Sequence, residues 1–112
     1  MRRAAYGSLT FVLAALMAGA PASAQEAQTR SWREEKCVRY KHAWDELAAR
    51  RGTRGLGPEF LERHDAFMAA GCTGQADVCP RSAEELEVAN IMIVAAMNAG
   101  TASTFPPFAC RK

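Results

Sequence analysis

Four cysteines, Cys37, Cys72, Cys79 and Cys110, constrain this 112-residue chain more than any other feature. Whether they pair depends on where the chain works, and its first residues speak to that. Arg2 and Arg3 give a positive start, Leu9 to Ala18 form an apolar run, and Ala22-Ser23-Ala24 offers the small-x-small pattern of a cleavage site. Residues 1–24 therefore read as a removable export signal, with Gln25 as the expected new N-terminus. An apolar run of about ten residues is too short to cross a bilayer, which takes roughly 20. The expected product is a single domain, residues 25–112, periplasmic or secreted and without stable membrane insertion. In such an oxidising compartment an even number of cysteines reads as a disulfide framework.

Cleavage also changes the charge. The full chain carries 14 Lys plus Arg against 12 Asp plus Glu, and Arg2 and Arg3 leave with the signal. The remainder is neutral, so the basicity of the precursor belongs to targeting and gives no reason to expect nucleic acid as a partner.

Three helices and a tail follow from the pattern. Ser31 with Glu34 forms a capping-box sequence, after which Cys37, Tyr40, Lys41, Trp44, Leu47 and Ala48 recur at helical spacing up to Arg50-Arg51-Gly52. Gly52 to Pro58 is a connector whose proline suits a helix start. Phe60, Leu61, His64, Phe67 and Met68 mark one side of a second helix closed by Gly71. Ser82 with Glu85 opens a third, with an expected inward stripe of Leu86, Ala89, Asn90, Ile93, Val94 and Met97. Ile91 and Met92 lie off that stripe, so this helix is apolar over a wide arc and is expected to be the most buried of the three. Phe105-Pro106-Pro107-Phe108 predicts an extended tail. The expected fold is all-α: a small three-helix domain stapled by two disulfides, its C-terminal tail folded back on the helices.

Four cysteines allow three pairings. If the first two helices form an antiparallel hairpin, Cys37 and Cys72 are equidistant from the middle of its loop and face each other. Cys79 is then left for Cys110, which the tail can reach by running back along the third helix. The rival scheme joins Cys72 to Cys79 and Cys37 to Cys110. No C-x-x-C pair suggests a redox or zinc site.

Chemistry-bearing residues are few. His64 stands at the centre of the second helix's apolar stripe, and Asn90 holds the matching place in the expected stripe of the third. With Tyr40 they form a possible core polar or ligand site, in which each buried polar group needs a partner. His42, four residues before Glu46, reads as a solvated helical pair. No nucleophile motif or phosphate-binding loop appears, so an enzyme is not expected, nor is any metal or cofactor. Trp32, outside the first helix's stripe, and Phe105 and Phe108 in the tail are possible partner surfaces. The expected function is a protein-binding or accessory module acting on another periplasmic protein. The alternative is a small-ligand or metal-binding protein using a core site around His64.

Overall fold

A computed structural model describes residues 30–111. The expected signal segment, its expected cleavage point and the residues up to 29 lie outside the described residues. Three helices follow one another: α1, Trp32–Arg51; α2, Pro58–Ala69; and α3, Ala83–Asn98. Their ends are set where the sequence sets them. The Ser31 hydroxyl accepts from the Glu34 amide at 3.2 Å, and Gly52, at φ 70°, donates to the Ala48 carbonyl to close α1. The Ser31 box is only half formed: the Ser31 hydroxyl accepts from the Glu34 amide, but the Glu34 carboxylate makes no return bond to the Ser31 amide, while the next residue, Glu35, pairs with Arg30 and Arg39, each at 2.9 Å. The Ser82 box is complete.

The disulfides are Cys37–Cys72 and Cys79–Cys110, as the hairpin geometry predicts. The first ties the start of α1 to the residue just beyond α2. The second anchors the tail beside the start of α3. Next to it the Val78 amide donates to the Pro107 carbonyl at 3.0 Å, and the Ala109 amide donates to the Val78 carbonyl at 3.1 Å. This single parallel bridge between Val78 and Phe108 holds the tail down, with Pro106 and Pro107 buried. Phe105 and Phe108 are half-buried and packed on the core, so the tail covers the helices with the residues read as a possible partner surface.

The core joins Tyr40, Trp44 and Leu47 of α1, Phe60 and Phe67 of α2, and Val88, Met92 and Ala96 of α3. Burying a side chain of the Val, Leu or Met size stabilises by about 1.5–3 kcal/mol. α3 differs from the sequence expectation. Its inward side is Glu85, Val88, Ala89, Met92 and Ala96, whereas Leu86, Asn90, Val94 and Met97 face solvent. α3 is still the most buried helix, with five buried residues of 16 against four of 20 in α1 and three of 12 in α2, but of the expected stripe only Ala89 is buried.

Glu85 is the cause. It is 5% exposed, and its carboxylate accepts from the backbone amides of Gly57 at 3.2 Å, Arg81 at 3.0 Å and Ser82 at 3.1 Å. One side chain thus caps α3 and holds the chain at the start of α2. Burial alone would raise its carboxyl, but the amides of Arg81, Gly57 and Ser82 outweigh burial and hold it below the usual carboxylate range. Glu85→Ala strands three amides at two helix starts and is expected to cost about 1–3 kcal/mol. Urea unfolding would show this as a lower midpoint at unchanged slope, and a midpoint equal to wild type would disprove the linchpin role.

Candidate functional site

His64 is fully buried. Its Nε2 lies 2.7 Å from the Tyr40 hydroxyl, so Tyr40 is the partner that helical spacing allowed. Asn90 is not, because it stands on the outer side of α3. The imidazole is enclosed by rings. Trp44 lies 4.2 Å away between centroids, Tyr40 5.6 Å, and Phe60 and Phe108 stack nearly parallel to it at 6.2 and 5.8 Å. Two of these rings come from α1, one from α2 and one from the tail, so His64 is where three segments meet.

One polar atom in this box has no partner: His64 Nδ1. Whichever neutral tautomer forms, the bond to Tyr40 engages Nε2 alone, and Nδ1 is left as a lone donor or lone acceptor. Burial pushes the imidazole down to about 4 and pushes the Tyr40 hydroxyl well above its ordinary value. Both groups are therefore neutral at pH 7. A neutral imidazole hydrogen-bonded to a neutral phenol and walled by aromatic rings lacks the open approach that a general base needs. Among the described residues no three His, Cys, Asp or Glu side chains converge as metal ligands.

The open surfaces lie elsewhere. A groove of about 520 Å³ runs between α1 and α3, floored by Ala43, Ala95 and Ala99 and edged by Val38, His42 and Glu46. His42 Nε2 sits 3.2 Å from Glu46 on this exposed edge, the solvated pair its spacing predicts. α3 itself exposes Leu86, Ile91, Val94 and Met97. Trp32 is 51% exposed, under the Arg39 guanidinium at 5.1 Å, and lies against Gly100 just past the end of α3. With Val38 on the groove edge, these are all six of the large apolar side chains that stand substantially exposed among the described residues. They gather on α3 or on the part of α1 alongside it. Comparison with protein-family models, curated proteins and solved structures gives no match to this chain. The reading of function therefore rests on the molecule's own surfaces.

Trp32 is exposed, as its place outside the α1 stripe allows, whereas the exposure of Leu86, Val94 and Met97 on α3 runs against the expected inward stripe. The signal was present in the apolar arc of this helix, which is wider than one core contact can cover.

Proposed function

We propose that the chain is a small exported protein that works by binding another polypeptide through the outer face of α3, and not by catalysis. The observation that carries this reading is that all six exposed large apolar side chains stand on α3 or on the stretch of α1 alongside it. Scattered single apolar residues need no explanation, whereas a contiguous exposed patch marks an interaction site. Two disulfides fit an oxidising compartment outside the cytoplasm. The finer placement in the periplasm rests on Arg2-Arg3, the Leu9–Ala18 run and Ala22-Ser23-Ala24.

A photo-crosslinking residue at position 94, in the middle of the face, tests the proposal in cells. It is expected to give a discrete polypeptide adduct, while the same residue at exposed Glu62 on α2 gives none. Absence of an adduct at position 94 would remove the reading.

The alternative, a small ligand or metal held at His64, has the unpartnered Nδ1 in its favour. Against it stands the enclosure of the imidazole by Tyr40, Trp44, Phe60 and Phe108, which leaves the groove between α1 and α3 as the roomier site.

A further inference from the structure

We infer that the Cys79–Cys110 bridge is a reducible latch: thiol exchange at Cys110 frees the tail from the aromatic box, while Cys37–Cys72 keeps the helices together. The latch works whatever the outer face of α3 binds.

The two bridges stand in opposite surroundings. Cys110 is exposed and Cys79 is half-buried. The groove that passes Cys37 leaves that residue only 5% exposed, and Cys72 is 6% exposed. Exchange needs a thiolate to approach one sulfur of the bond, so access decides which bridge opens first. In the folded protein that bridge is Cys79–Cys110.

The reductant is a dithiol. One of its thiolates attacks Cys110 Sγ and expels Cys79 as a thiolate, leaving a mixed disulfide on Cys110. Its second thiolate attacks the reductant's own sulfur in that bond and expels Cys110. The dithiol gives up two electrons and ends as a disulfide, and its two protons end on Cys79 and Cys110.

Little else holds the tail. Its backbone meets the body through the pair of bonds at Val78. The Arg111 guanidinium donates to the Ala76 carbonyl at 3.0 Å on the exposed surface, and Lys36 Nζ lies 5.0 Å over the Phe105 ring. Residues 101–110 form no helix, residues 102–104 are exposed, and Phe105 and Phe108 are only half-buried. Ordering such a segment costs backbone freedom at every residue, and the bridge offsets that cost by keeping the tail close in any state. The helices have ties of their own in Cys37–Cys72, the Tyr40–His64 bond and the Glu85 carboxylate on Gly57. What the tail covers is aromatic. Phe108 stacks on Phe60 and His64 at 5.9 and 5.8 Å, and Phe105 meets Tyr40 and Phe67 edge-on at 5.8 and 6.2 Å. Release uncovers these four rings together and admits water to the box in which His64 Nδ1 has no partner.

The order of opening is read with dithiothreitol on the folded, oxidised protein, followed by alkylation and peptide mapping. Cys79 and Cys110 are expected to be labelled at least about tenfold faster than Cys37 and Cys72. Equal rates, or Cys37–Cys72 opening first, would overturn the latch. Release is read on the double variant Cys79→Ser with Cys110→Ser, which makes the open state permanent. Its far-UV helical signal is expected to match wild type. Diethylpyrocarbonate, confined to exposed His42 in the oxidised wild type, is expected to reach His64 in the variant at least about tenfold faster, because burial no longer bars it. A His64 as slow as in wild type would mean that the tail stays down without its bridge. Loss of the helical signal would mean that the tail is part of the fold. Either result removes the proposal.

Discussion

Replacing Cys37 and Cys72 together with alanine is expected to lower stability by about 4 kcal/mol, the largest effect of any change to the helical body. The bridge closes a loop with a sequence separation of 35. Opening it returns that loop's freedom to the unfolded chain. Its position adds to the effect, because the two sulfurs are buried, at 5% and 6% exposure, where α1 meets the end of α2. Cys72 has a left-handed backbone, φ 57°. Alanine carries the same Cβ, so the backbone cost is unchanged and the measurement reads the cross-link together with the two buried sulfurs. The Cys79–Cys110 bridge, with a separation of 31, has nearly the same chain entropy, yet it pins only the tail. A small domain holds about 5–15 kcal/mol in all, so reduction of both bridges is expected to unfold the protein near room temperature. Urea unfolding of the oxidised wild type and the double variant decides the matter. A difference below about 1 kcal/mol would mean that the core carries the fold without its staple.

Both staples could be read in the sequence because pairing followed from one distance argument about a hairpin. Helix ends were legible for a similar reason: Ser31, Ser82, Gly52, Gly71 and Gly100 each meet a backbone need local to a few residues. The phase of α3 was not legible from apolar periodicity. Leu86, Ile91, Val94 and Met97 outside are as apolar as Val88, Met92 and Ala96 inside, so a 3.6-residue period fits either side. What turns the helix is Glu85, whose carboxylate must reach amides at Gly57, Arg81 and Ser82. With Glu85 inward, Val88, Ala89, Met92 and Ala96 follow it and Asn90 rotates out. The capping box was visible, but its burial depends on Gly57, 28 residues earlier, and that contact is tertiary. His64 could be placed in the core because its apolar neighbours left no other face. Its choice of Tyr40 over Asn90 turned on the same rotation of α3.

Acidification from pH 7 to pH 5 is expected to remove about 2 kcal/mol of stability, through His64 alone. Its imidazole is held down to about 4 by burial, against an ordinary value near 6.5. Because the folded value is the lower one, the unfolded chain takes up the proton first. Stability is then complete above about pH 7 and declines as pH falls through 6.5 toward 4, by about 3 kcal/mol in all. The groups around the ring leave the window clean. Tyr40, Trp44, Phe60 and Phe108 face it, and none of them titrates there. Glu35, lowered chiefly by its hydrogen bonds to Arg39 and Arg30, and Glu85 both respond only below the usual carboxylate range. His42 lies on the exposed surface beside Glu46, away from the ring. Nor is there a carboxylate in the box to receive the new charge, so the protonated ring must leave it or open it. The tail yields first, since Phe108 is one wall of the box and is held by the Val78 bridge and Cys110. Denaturant unfolding at several pH values, read by Trp44 fluorescence, measures the slope. His64→Gln keeps a partner for the Tyr40 hydroxyl but cannot titrate, and it is expected to flatten the dependence between pH 7 and pH 5 at some cost in packing. If His64→Gln keeps the wild-type slope, the pH dependence belongs to another group and the buried imidazole is not its source.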